Sequence, residues 1–153
     1  LDRELITGKK GTVLQPDKTI DEVTVEEFDA LIIPGGYAWE KGGAHDFTAL
    51  ATAFRDKGKV LGGICAAASA LAATGVLDDV AHTGNSLASH KKYPAYRGET
   101  RYVDQPQAMR DGTIVTAAGT ASDMFTVEVL KALGLYGPEA EAELAAFAAE
   151  HRR

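Results

Sequence analysis

The chain has 153 residues, 45% of them hydrophobic and 25% charged, and its 16 basic and 22 acidic side chains leave a formal net charge of −6. That size suits one domain with a substantial core, and the acidic excess argues against a general nucleic-acid or anionic-membrane surface. A lone cysteine cannot form an intrachain disulfide, which points to a reducing interior such as the cytoplasm; no apolar run has the length of a membrane span, and no signal peptide is visible.

Short apolar runs alternate with amphipathic helical patterns, which predicts an α/β sheet covered on both faces. Gly11 to Gln15 suggests a short strand, followed by a Pro16-Asp17 turn. Thr24 and Glu27 have the spacing of a capping box for one short helical turn. Ala30-Leu31-Ile32-Ile33 is continuously apolar, as a strand buried on both faces should be, and it ends at Pro34-Gly35-Gly36. The next helix is expected from about Ala44 to Lys57, because Phe47, Leu50, Ala51 and Phe54 share one face and Gly58 supplies a stop. Val60 to Ile64 reads as a second buried strand and Ala66 to Thr74 as a helix ended by Gly75. Between His82 and Gly112 the periodicity fades; Tyr93-Pro94 interrupts it and Asp111-Gly112 marks a hairpin-type turn. Thr113 to Ala117 is a third strand, leading into a helix from about Ala121 to Leu133 with Thr120 as its cap and Asp123 complementing its dipole. Pro138 opens a last helix in which Ala140, Leu144, Phe147 and Ala148 form an apolar stripe, with His151, Arg152 and Arg153 at its negative end.

Cys65 stands where the second buried strand turns into a helix. Gly63 and Ala67 flank it at two residues on either side, the sulfur counterpart of the G-x-S-x-G elbow, where small neighbours permit a tight turn that pushes the nucleophile outward. A thiol there faces the positive end of a helix, which favours the reactive thiolate. The competing reading is a buried cysteine that acts as a small hydrophobe.

Ligands of such sheets bind at the carboxyl ends of the strands. Three ends are of interest: Pro34-Gly35-Gly36, Cys65, and Ala81-His82-Thr83-Gly84-Asn85. The backbone amides of Gly35, Gly36 and Ala66 are candidates to surround a developing oxyanion, against a plain tight turn for the two glycines. His82 is a candidate base or charge partner for the thiol, against a histidine that merely hydrogen-bonds in a loop. His45 and His90 read as solvated and His151 as a tail residue. Tyr37, Trp39 and Glu40 are candidates for one wall of the cleft, with packing or a dimer contact as the alternative. Lys91, Lys92, Arg97 and Arg101 read as a solvated basic face. No cluster has metal-ligand spacing, so neither a metal site nor a cofactor is expected.

The segments Ala30 to Gly36, Gly63 to Ala67, His82 to Asn85 and Val115 to Thr120 occur in an order and spacing that resembles the ThiJ/PfpI family of the class I glutamine amidotransferase-like superfamily. The resemblance covers most of Gly11 to Leu133. It implies a flavodoxin-like α/β/α sandwich with a mostly parallel sheet, often a homodimer, with Cys65 as nucleophile and Gly35, Gly36 and Ala66 as amide donors. Peptidase-like members place histidine directly after the nucleophile, where this chain has Ala66, and glutaminase domains carry a His-x-Glu pair that His82-Thr83-Gly84 lacks. Neither peptidase nor glutaminase activity is therefore expected. Many members also carry a glutamate after their first strand that contacts the sulfur. That first strand-helix unit is expected to lie upstream of Leu1, leaving the chain an N-terminally incomplete version of one domain.

The leading functional expectation is a cysteine-dependent, hydrolase-like or lyase-like enzyme acting on a small amide or reactive carbonyl, with His82 or an upstream acid managing the proton. The alternative is a non-enzymatic redox or stress sensor built on the same thiol. A degenerate, dimeric binding module is the blandest reading. No nucleic-acid or membrane partner is expected.

Overall fold

The computed structural model describes residues 5–8, 11–41 and 46–150. The expected start of the first long helix at Ala44, His45 and the tail His151 to Arg153 lie outside them. A small antiparallel pair, β1 (Ile6–Thr7) and β2 (Val13–Leu14), precedes the main sheet. The elements that follow are β3 (Ala30–Ile33), α1 (Thr48–Asp56), β4 (Val60–Ile64), α2 (Ala66–Ala73) and α3 (Leu87–His90). Then come β5 (Met109–Asp111), β6 (Ile114–Ala117), α4 (Ser122–Ala132) and α5 (Pro138–Glu150).

The main sheet has the order β3-β4-β6-β5, with β3, β4 and β6 parallel and β5 antiparallel to β6. This is the expected α/β/α sandwich with a mostly parallel sheet. Leu61 and Leu71 are fully buried in a core with Phe47 and Ala51, on the face covered by α1 and α2. Val115, Ala117, Ala121 and Phe125 form the core under α4 on the other face. The two glycines of β4 let both layers approach: a Cβ at Gly62 would lie 2.9 Å from Phe125, and one at Gly63 2.5 Å from Leu71. Helix α2 is alanine-rich and buried from Ala66 to Ala72, so it nests against β4 with almost no side-chain bulk.

Several local expectations need correction. Ile33 is buried, but Ile32 is 40% exposed, because β3 is the edge of the four-stranded sheet and pairs only with β4. Val25–Glu27 does form a single helical turn, yet Thr24 makes no side-chain cap. Glu27 is drawn instead into an ion pair with Lys18, while Glu22 caps the preceding turn, accepting from the Thr19 N–H at 2.8 Å. Helix α4 has Ala121 rather than Thr120 at its cap position. In α5, Leu144 is half-buried but Phe147 is 56% exposed, so the stripe is not a buried face. The sequence pattern missed β5, a three-residue strand whose Arg110 and Asp111 are exposed; the Asp111-Gly112 turn that joins it to β6 was legible.

Candidate active site

Register alone brings the site together. Ile33 pairs with Gly63 and Ile64 with Ala117, so three parallel strands end at one level and the next residues converge. Cys65 occupies the centre. It is the one non-glycine residue with positive φ among the described residues, at φ 60° and ψ −130°. Such a backbone costs about 1–3 kcal/mol and persists only where its surroundings hold it. Here the Cys65 N–H donates to the Ala117 carbonyl at 2.9 Å, and α2 begins at the next residue. The elbow is thus pinned between β6 and the helix, and its thiol is half-buried.

Two glycines wrap the side chain. A Cβ at Gly35 would lie 2.7 Å from Cys65 Cβ, and one at Gly119 would lie 2.9 Å from Cys65 Sγ. No larger residue fits at either position without displacing the sulfur. Among the described residues, Asn85 supplies the one side-chain hydrogen bond to the thiol, with Nδ2 at 3.5 Å from Sγ. Its orientation is fixed chemically: Gly119 N–H is a donor at 2.9 Å, so Oδ1 must face it and the NH₂ must face the sulfur. Neither Asn85 nor Gly119 was singled out by sequence reasoning. Both lie inside segments that carried the family resemblance, and that position was the available signal.

The thiol opens on a cleft of about 760 Å³, lined by Gly35, Gly36, Tyr37, Glu40 and Ala66 among others. The amides of Gly35, Gly36 and Ala66 donate no hydrogen bond within the protein among the described residues. Tyr37 and Glu40 line the cleft as expected. Trp39 is mainly packing: its ring meets Phe47 edge-on at 5.3 Å and Nε1–H donates to the Pro34 carbonyl at 3.0 Å. Glu40 and Ala66 also border a neighbouring pocket of about 200 Å³ that Asn85, Ser69 and Lys92 help to line.

His82 is not brought to the sulfur by a hydrogen bond. Its Nδ1 faces the Val80 carbonyl at 2.8 Å and must donate to it, so Nε2 accepts from the Tyr96 hydroxyl at 2.7 Å. Both nitrogens are spent, and burial lowers the imidazole's pKa against the pull of the Val80 carbonyl. The expected third strand end is likewise not a strand of the main sheet; His82 forms an isolated bridge with Tyr102. His90, expected to be solvated, is fully buried and stacks on His82 with ring centres 5.6 Å apart. Tyr96 and Tyr102 close this cluster edge-on, at 5.5 and 5.2 Å from His90. His90 Nδ1 faces the Ser86 carbonyl at 3.1 Å and its Nε2 has no partner among the described residues, and burial pushes its pKa down to about 4. The reason for both corrections is non-local packing: a loop that reads as polar folds its histidines inward onto tyrosines. The basic loop is exposed as expected at Lys91, Lys92, Arg97 and Arg101; Lys91 pairs with Glu99 at 2.8 Å, and Lys92 lines the pocket beside Asn85.

Among the described residues, no helix is long and apolar enough to cross a membrane. The sequence profile of the DJ-1/PfpI family matches residues 1–132. The uncharacterized protease YoaZ of Bacillus subtilis is 35% identical over 140 residues, which are 91% of this chain and 66% of that protein. The deglycase PH1704 of Pyrococcus horikoshii is 39% identical over 77 residues, 50% of this chain and 46% of that protein. The chain therefore spans 66% or less of these curated relatives. The solved structure of the DJ-1 superfamily protein Atu0886 from Agrobacterium tumefaciens aligns with a TM-score of 0.92 at 59% identity, covering 98% of this chain and 80% of that one. The profile match extends from the first residue through α4, and so takes in the whole strand-elbow-helix unit on which the site is built: the chain belongs to the DJ-1/PfpI family.

Proposed function

We propose that this chain carries the active site of a cysteine-dependent, hydrolase-like or lyase-like enzyme that acts on a small amide or reactive carbonyl. One observation carries the reading: a strained backbone holds a half-buried thiol against an open cleft. A sulfur that served only as packing would gain nothing from that strain. Relatives named protease and deglycase accord with a hydrolase-like role.

In this mechanism the thiolate of Cys65 attacks the carbonyl carbon. A C–S bond forms and the carbonyl π pair moves onto oxygen. The amides of Gly35, Gly36 and Ala66 receive that oxyanion, and a single such donor is typically worth about 3–4 kcal/mol of barrier. Asn85 Nδ2–H steadies the sulfur before attack. Proton transfer falls to a carboxylate rather than to His82, and Glu40 is the acid that lines the cleft among the described residues. A peptidase mechanism that uses a histidine directly after the nucleophile has no support, since residue 66 is alanine. The working unit in this reading is a homodimer, in keeping with the exposed apolar side chains of Ile6, Val13 and Leu14; a monomer mass by sedimentation at micromolar concentration would remove that part.

Turnover of a panel of small amides and 2-oxoaldehydes by wild type and Cys65→Ala tests the proposal. The variant should keep the wild-type circular dichroism and lose turnover. Undiminished turnover in the variant would sink the nucleophile assignment. Selective oxidation of the wild-type sulfur by dilute peroxide, with no turnover of any substrate, would favour the redox-sensor reading.

A further inference from the structure

We propose that the pocket beside the thiol binds a carboxylate, so that the substrate is a small electrophile carrying an acid group near its reactive carbonyl. This deepens the nucleophile reading above and rests on it. The pocket, of about 200 Å³, shares Ala66 and Glu40 with the thiol cleft, and Asn85, which touches Cys65 Sγ, lines it as well. That volume holds a fragment of roughly six or seven water-sized groups. A substrate attacked at Cys65 therefore has one end in this pocket.

The chemistry of the pocket is that of a donor site. Ser69 is 4% exposed, and its Oγ lies 3.3 Å from His90 Nδ1. That nitrogen carries its proton, because it also faces the Ser86 carbonyl, which can only accept. The Ser69 oxygen is thus an acceptor toward His90, and its own proton is left to donate into the pocket. Lys92 adds a positive charge with no ion pair among the described residues, in contrast to its neighbour Lys91, which is paired with Glu99. Other polar groups of the lining are held elsewhere: Trp39 Nε1–H by the Pro34 carbonyl, the Tyr93 hydroxyl by the Trp39 carbonyl at 3.0 Å, and the Ser89 hydroxyl by Ser86 Oγ at 2.9 Å. Among the described residues, Glu40 is the carboxylate that lines the pocket; it borders the thiol cleft too, whereas Lys92 lines only the pocket. A buried hydroxyl donor and an unpaired ammonium in a space this small fit one carboxylate.

The single sulfur reads this out directly. Iodoacetate and iodoacetamide both alkylate a thiolate with loss of iodide and differ in the charge of the group delivered. Their rate ratio is measured by intact mass on native protein and on the same chain unfolded in urea, where the pocket is absent. Despite the net charge of −6, the native iodoacetate-to-iodoacetamide ratio should exceed the unfolded ratio by roughly threefold or more. Lys92→Met should bring it down to the unfolded value, and Lys92→Arg should retain it. A native ratio at or below the unfolded one, or a ratio unmoved by Lys92→Met, overturns the carboxylate site while leaving the nucleophile reading standing. Failure of iodoacetamide itself to modify the native protein overturns both.

Discussion

Acid should loosen this fold through its buried histidine pair, in a pH range where carboxylates are still ionised. An ordinary imidazole titrates near 6.5; burial holds His90 at about 4, with the Ser86 carbonyl opposing the fall and His82 adding to it. The folded state keeps the neutral ring, so the unfolded chain binds the extra proton. The stabilisation is therefore complete above about pH 6.5 and is lost as the pH falls toward 4. Each tenfold difference in proton affinity is worth about 1.4 kcal/mol, which puts the loss from His90 alone at about 3 kcal/mol. His82, also depressed by burial, acts in the same direction. Against a typical total of about 5–15 kcal/mol this is a large fraction. Asp79 and Glu128, held low by Arg55 and Lys131 respectively, weaken too on acidification, but only below about pH 4.5. Urea unfolding of wild type and His90→Asn between about pH 7.5 and 4.5 isolates the histidine contribution. Asparagine can still donate to the Ser86 carbonyl but does not titrate. The variant should be the less stable protein at the upper end and should lose less on acidification, so that the two curves approach each other. Parallel curves would refute the reasoning.

Three further outcomes follow from the elbow and its neighbours. Cys65→Gly should stabilise the fold by about 1–3 kcal/mol relative to Cys65→Ala, because glycine relieves the positive φ, and thermal unfolding of the two variants compares them. Asn85→Asp replaces the sulfur-facing N–H with a carboxylate oxygen and should slow alkylation of Cys65 by about tenfold; an unchanged rate would mean that the 3.5 Å contact contributes nothing. Gly119→Ala places a methyl 2.9 Å from Sγ and should cut both turnover and thiol modification while costing about 1–3 kcal/mol of stability in thermal unfolding.

The parts of the molecule legible in sequence are those decided by short-range pattern. Val60 to Ala73 reads as strand, elbow and helix because five apolar or small residues, a lone thiol and an alanine run leave no other local solution. Gly35 and Gly36 were legible for the same reason: with Pro34 they end an apolar, β-branched strand. What escaped was set at a distance. The Thr24–Glu27 spacing makes no cap because Glu27 is held by Lys18, nine residues earlier. The burial of His82 and His90 depends on Tyr96 and Tyr102 folding over them, which no periodicity announces. Asn85 becomes the partner of the sulfur only because Gly119, 34 residues later, fixes its amide. The imidazole nearest in motif to the cysteine was the natural candidate, and packing assigned it elsewhere.

The most direct test of the account uses the chain as its own control, since one cysteine gives one reporter. The rate at which neutral iodoacetamide modifies Cys65 is compared at neutral pH in the native protein and in urea. The account predicts faster modification in the folded protein, where the strained elbow, the helix terminus and Asn85 present the sulfur to the cleft. Slower modification in the folded protein than in the unfolded chain would contradict it.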